Sequence, residues 1–199
     1  MTKWLLSIFI FKIPDKKIPN MCSNGPNSLN TYTSPVIGDK RNQGQNTMTY
    51  DGLKQRLDAG GIVILDGGMG TELQRRGAPM DPAAWCGPAT LHAEKLLTEI
   101  HADYIAAGAE VITANTYASS RLMLSLSGYG DQVEEINRRS VEAALRARDA
   151  ASRGTSVVVA GSLSHMVPMS KGTMTVDPGN LPNDVEMATA YDELARILA

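Results

Sequence analysis

Ile62-Val63-Ile64-Leu65-Asp66-Gly67-Gly68-Met69-Gly70-Thr71-Glu72-Leu73 is the stretch whose reading decides the fold. Ile62 to Leu65, apolar and mostly β-branched, read as a buried strand. An acid closes it, three glycines fall among the next four residues, and a helix-like run leads to Arg75 and Arg76. A carboxylate at the C-terminal end of a buried strand is where α/β barrels and open α/β sheets place their chemistry. Glycines there let backbone approach a ligand and adopt positive φ. Asp66 is therefore the candidate functional residue. The plainer alternative is a tight strand-to-helix turn in which Asp66 bonds its own local backbone.

Downstream, the same strand-then-helix pattern recurs. Leu53–Leu57 reads as a short helix feeding the first strand, and Thr71–Arg76 as a helix stopped by Gly77. Ala78–Thr90, with Pro79, Pro82, Trp85 and Pro88, reads as a loop. Leu91–Ala107 is an amphipathic helix with Leu97, Ile100, Tyr104 and Ile105 on one face and Gly108 at its C′ position. Glu110–Asn115 is a second strand that turns polar at Thr113, Asn115 and Thr116. Gln132–Ser152 is a second long helix: Val133, Ile136, Val141, Ala144 and Leu145 face the core, Arg138, Arg139, Arg146 and Arg148 form a solvated face, and Gly154 ends it. Ser156–Ala160 is a third strand running into Gly161, Ser162 and His165; a long loop, Leu163–Asn183, follows, and Asp184 caps a last helix through Leu198.

The order is β-α-β-α-β-α with strands apolar throughout, the signature of a parallel sheet covered on both faces. Two α/β architectures fit, part of a (βα)₈ barrel or an open doubly wound sheet. A barrel takes about 250 residues, whereas the patterned region here supplies three βα units.

Upstream, Trp4–Phe11 is an apolar run, too short for the roughly 20 residues that span a bilayer. It resembles the apolar region of a signal peptide, but Lys12, Pro14, Asp15, Lys16 and Lys17 follow where a small-residue cleavage site belongs. Asn20–Thr47 is rich in Asn, Ser, Thr, Gly and Pro without helix or strand period. Residues 1–49 therefore read as a disordered leader, explained by a start codon placed too early, with Met48 just before the globular patterning begins, or alternatively as a targeting peptide. Residues 50–199 read as the folded domain.

The whole chain has 199 residues, 43% of them hydrophobic, and a net charge of −2, enough for one domain with a real core. That balance offers nothing to nucleic acid or to a membrane surface. Cys22 and Cys86 are its only cysteines and form no CxxC pair. That argues against a disulfide scaffold and against a self-contained zinc site, and a cytoplasmic setting is expected.

The glycine turn fails as a dinucleotide fingerprint, because Leu73 stands where a third glycine or alanine belongs, and no Gly-Lys-Ser/Thr makes it a P-loop. Beside Asp66 in a parallel sheet, Asn115-Thr116-Tyr117 would put amide and hydroxyl groups near one carboxylate. Such a cluster suits an amino acid, with the carboxylate for its ammonium and donors for its carboxylate; a capped turn is the plainer account. His92 and His101 lie in the first long helix, on its surface or satisfied in packing, and no Ser/His/Asp triad can be built with His165. Met166, Met169 and Met174 either line a mouth or fill gaps. Trp85 packs under its loop, or walls a site.

Taken together, these motifs resemble the homocysteine S-methyltransferase family. The matching pieces are Leu65-Asp66-Gly67-Gly68-Met69-Gly70-Thr71-Glu72-Leu73 with Arg76-Gly77, the Trp85 loop, and Tyr104-Ile105-x-x-Gly108-Ala109-x-Val111-Ile112-Thr113-x-Asn115-Thr116-Tyr117. Ala160-Gly161-Ser162-Leu163 looks like the family's third strand end, with Ser164-His165 replacing the usual Gly-Pro. The resemblance covers roughly Tyr50 to the C-terminus. It implies the N-terminal three βα units of a TIM barrel, incomplete here, that transfers a methyl group to the homocysteine thiol to give methionine. Asp66 and Gly67, with Gly68 beside them, would hold the homocysteine amino group; Thr113, Asn115 and Thr116 would line the same pocket. It also implies a zinc ion, held by three cysteines later in the barrel, that binds the sulfur as thiolate.

Neither Cys22 nor Cys86 matches those ligands, so no catalytic or metal residue is assigned in this chain. It is expected to be an inactive fragment or an incomplete gene product. The donor is a small molecule with an activated methyl: S-methylmethionine, S-adenosylmethionine, a folate or betaine. The alternatives are a non-catalytic homocysteine-binding remnant that needs a partner chain, and, disfavoured by its glycines, a nucleotide-binding α/β domain.

Overall fold

The computed structural model describes residues 49–151, 156–164, 166–167, 170, 175–176 and 178–199. The leader expected over 1–49 (Thr49 excepted), Cys22, Gly154, His165, Met169 and Met174 lie outside the described residues. Helix α1, Tyr50–Asp58, starts where the Thr49 hydroxyl accepts from the Gly52 N–H at 3.2 Å and buries Leu53. The chain then runs extended through residues 62–65, and Leu65 bridges Val111 in parallel. Strand β1, Val111–Thr113, pairs in parallel with β2, Val158–Ala160, in the register Val111↔Val158. Three extended segments thus lie side by side in chain order, with helices between them: the mixed α/β arrangement that the periodicity predicts.

The first segment departs from expectation. It is no buried strand: Ile62, Ile64 and Leu65 are 77, 53 and 49% exposed. The Asp66 N–H donates to Val111 O (3.0 Å) and Glu110 N–H to Ile64 O (2.8 Å), so β1 covers one flank. No described residue pairs with the other, which leaves these side chains at a sheet edge. The second and third strands are shorter than predicted. After Thr113 the chain curls, Thr116 N–H donating to Ala114 O at 2.7 Å, and the polar residues leave the ladder.

Helix α2, Met69–Arg75, ends at Gly77, whose φ of +83° suits only glycine without strain. The predicted single helix over 91–107 is two: α3, Ala89–His92, and α4, Glu94–Ala106, separated at Ala93 (φ −136°, ψ 34°). A short helix that periodicity does not reveal, α5 (Arg121–Leu126), is capped by Ser120, and α6 spans Val133–Ala151. Helices α4 and α6 pack together over β1 and β2, with Ile105, Ile112, Ala144 and Val159 at the centre of the core. The arginine face of α6 is only partly solvated: Arg139 Nε donates to Glu94 Oε2 of α4 at 2.8 Å, and Arg146 pairs with the same carboxylate.

Helix α7, Asp184–Leu198, is capped by Asn183 rather than by Asp184. The Asn183 Oδ1 accepts from Val185 and Glu186 N–H at 3.0 Å, and Glu186 Oε2 accepts from the Asn183 N–H at 2.9 Å, a reciprocal capping box. Because Leu194 and Leu198 of α7 are buried in the main core, we expect Asn183→Ala to lower unfolding free energy by about 1 kcal/mol in urea titration.

Candidate active-site cleft

The C-terminal ends of the three parallel segments open into one cleft of about 390 Å³. Asp66, Gly67 and Gly68 form one side, the Trp85–Cys86 loop another, and Thr113–Asn115 and Ser162–Ser164 the remainder. Asp66 is half-buried, and its bonds run across the sheet. Thr113 N–H donates to Oδ2 at 2.6 Å and Thr113 Oγ1 to Oδ1 at 3.0 Å. The alternative of a carboxylate satisfied by local backbone thus accounts for little of its bonding. Burial pushes its pKa up, and the two Thr113 bonds hold back part of that rise. A carboxylate has about four acceptor positions, so two bonds leave capacity for a further donor on a residue that lines the cleft.

Gly67 and Gly70 are required by close packing. A Cβ on Gly67 would sit 2.8 Å from the Tyr104 hydroxyl; one on Gly70 would sit 2.7 Å from Trp85 Cη2 and 2.8 Å from Cys86 Sγ. Trp85 therefore walls the cleft instead of only packing under its loop. Its backbone is left-handed (φ +48°), rare for so bulky a residue. An antiparallel bridge holds it there, with the Asp81 N–H donating to Trp85 O at 2.8 Å, and Asp81 Oδ1 accepts from the Ala83 and Ala84 N–H groups. Cys86, beside it, is buried, and burial pushes its thiol up to about 12, so it is an apolar wall and no nucleophile.

The residues predicted at the second strand end are present, but their side-chain donors are spent on protein. Thr113 spends its N–H and hydroxyl on Asp66. Asn115 lines the cleft, yet its Nδ2 donates to Cys86 O (2.8 Å) and Thr90 Oγ1 (3.2 Å). Thr116 is fully buried and does not line the cleft; its Oγ1 donates to Ser162 O (3.0 Å) and accepts from Ser162 N–H (2.7 Å). Each of the three clamps a different wall, and the expectation that they supply free donors to a ligand is corrected accordingly. Tyr117, which the sequence sets beside Asp66, also lines it, and so does Ser164, which the sequence reading did not place there. Neither helical histidine does: His92 bonds Tyr129 Oη at 3.2 Å, and His101 is buried with both ring nitrogens unpartnered, not satisfied as predicted. Among the described residues, no three His, Cys, Asp or Glu side chains are grouped to hold a metal.

A family model described as homocysteine S-methyltransferase matches residues 63–199. The chain is 39% identical over 92 residues to homocysteine S-methyltransferase 4 of Zea mays, covering 46% of this chain and 27% of that protein. It is 35% identical over 102 residues to the selenocysteine Se-methyltransferase of Brassica oleracea var. italica (50% and 30% covered). It is 31% identical over 116 residues to the homocysteine S-methyltransferase of Escherichia coli (56% and 37% covered). A crystal structure of the Escherichia coli homocysteine methyltransferase in metallated form superposes with a TM-score of 0.49 at 32% identity, over 56% of this chain and 41% of that one. The chain thus spans well under half the length of these relatives.

Proposed function

The chain belongs to the homocysteine S-methyltransferase family, and from that premise we propose that its cleft holds the amino-acid end of homocysteine in a barrel enzyme that methylates the homocysteine sulfur. The observation that carries the proposal is the Asp66 carboxylate, which lines the cleft, is fixed at the sheet's C-terminal edge by Thr113 and keeps acceptor capacity. An ammonium placed there gains charge-assisted hydrogen bonds in a half-buried setting, where they are stronger than in water. Gly67 and Gly68 expose backbone at the same edge, and Trp85 and Cys86 form an apolar wall that keeps water from the substrate's methylenes. In the overall reaction the sulfur, as thiolate, forms a bond to the methyl carbon. The bond from that carbon to the donor's onium or folate nitrogen, or to its sulfonium sulfur, breaks, and the electron pair leaves with the donor.

A metal would secure the thiolate at neutral pH when bound. The described residues do not fit one: Cys86 is buried as a neutral thiol and no ligand group is assembled. These residues bind and orient, and zinc enters the proposal only through the family. The same observation favours, for this chain by itself, a second reading as a homocysteine-binding unit that does not turn over.

Calorimetric titration near pH 7 tests the proposal. We expect L-homocysteine to bind, and γ-mercaptobutyrate, which differs by lacking the amino group, to bind about 10-fold or more weakly, the weight of one charged hydrogen bond. Equal affinities for the two would remove Asp66 from amine recognition.

A further inference from the structure

We propose that Asn115 is a positioning residue: with Thr90 and Ser140 it fixes the distance between Asp66 and the Trp85–Cys86 wall, and so selects the chain length of the thiol amino acid that fits. This rests on the homocysteine reading of the cleft. Asn115 is 2% exposed, and Thr90 and Ser140 are fully buried. One amide proton holds the Cys86 carbonyl and the other the Thr90 hydroxyl. Thr90 Oγ1 lies 2.7 Å from Ser140 Oγ, which donates to the Asn115 carbonyl at 3.2 Å. The bonds close a ring through the end of β1, helix α3 and helix α6, with the wall attached to it at Cys86.

The wall contains a strained backbone residue. Trp85 is held left-handed by its bridge to Asp81 on one side and, through Cys86, by Asn115 on the other; such a backbone persists only where its surroundings over-determine it. Inward movement is blocked because the indole and the thiol already fill the space over Gly70. Loosening the ring therefore moves the wall outward and widens the cleft. A pocket matched to one side-chain length discriminates a single methylene by about 10- to 200-fold, and a widened one loses that.

The test uses the full chain with Trp4→Phe, so that Trp85 is the sole tryptophan. Thr90→Val removes the bridging hydroxyl without changing shape, and Thr90→Ser restores it. With Thr90→Val we expect the ratio of cysteine to homocysteine dissociation constants to fall about fivefold or more and acrylamide quenching of Trp85 to rise, with Thr90→Ser within about twofold of the parent on both. Ser140→Ala breaks the same ring more gently and carries the same expectation should Thr90→Val fail to fold. A residue with only a structural role would lower the melting temperature and leave the ratio and the quenching unmoved, and that result overturns the proposal. If the parent binds neither amino acid, the homocysteine reading fails, and the quenching comparison alone decides whether the ring positions the wall.

Discussion

Asp66→Asn should weaken homocysteine binding about 100-fold while the cleft keeps its shape. The substitution is nearly isosteric, and one oxygen remains to accept from the Thr113 N–H, now at 2.6 Å from Oδ2. The Thr113 hydroxyl, a donor to Oδ1 at 3.0 Å, can rotate to accept from the new amide. The counter-charge of the ligand's ammonium is lost. Truncating one partner of a hydrogen-bonded charge pair costs about 2–5 kcal/mol, and the half-buried setting places this one near the lower end, since water still reaches the cleft. Calorimetry with the wild type and the variant reads the change directly. A pH series supplies a second reading with its sign fixed in advance. Binding needs the carboxylate ionised, and burial raises the Asp66 pKa, so affinity should decline on acidification earlier than for an ordinary exposed carboxylate. Unchanged affinity in Asp66→Asn would show that the ammonium sits elsewhere.

What the sequence discloses about this fold follows the range over which each signal acts. Helices α6 and α7 were legible because each repeats its apolar period over several turns; α6 begins within a residue of expectation and α7 spans the expected residues. The parallel order was legible because apolar strand, polar end and helix recur in step. The break at Ala93 was not: alanine is the best helix former, and no glycine or proline marks the place. Next to that break, Thr90 is held by Asn115 and Ser140, partners distant in sequence that no local propensity encodes. The exposure of Ile62, Ile64 and Leu65 was equally hidden, since an apolar run announces that it can be buried and not what flanks it.

The site divides along the same line. The place of Asp66 at the cleft could be read because it stands at the end of an apolar run before a glycine turn. Thr113, Asn115 and Thr116 were found as residues, but the bonds that tie them to the protein were not. A donor at a strand end serves a ligand or a neighbouring loop equally well, and only the fold shows that Asp66, Cys86 and Ser162 take them. The Trp85–Cys86 wall had one available signal, the small residues at Gly70 and Gly87. A Cβ on Gly87 would stand 2.1 Å from Ala118 O, so the loop after Cys86 can lie against the backbone beyond β1 only with glycine there.

The largest stability effect expected outside the cleft belongs to His101. Its side chain is fully buried in α4, neither ring nitrogen has a partner, and burial alone pushes its pKa down from 6.5 to about 4. The fold therefore holds the neutral ring. The sign follows from linkage: between about pH 6.5 and 4 the unfolded chain takes up a proton that the folded chain refuses, so stability falls with falling pH through that window and this loss levels off below it. A shift of that size corresponds to about 3 kcal/mol once complete. The paired carboxylates act lower down, Glu72 being held to about 2 by Arg75 and Arg76. Comparing wild type with His101→Leu isolates the histidine. Leucine has a similar volume and brings no polar atoms to a site that offers them no partners, so the variant should match or exceed the wild type near pH 7 in urea unfolding. It should also lose about one proton's worth of pH dependence between pH 6.5 and 4. Parallel stability curves for the two proteins across that window would mean that the folded chain protonates this ring as readily as the unfolded one does.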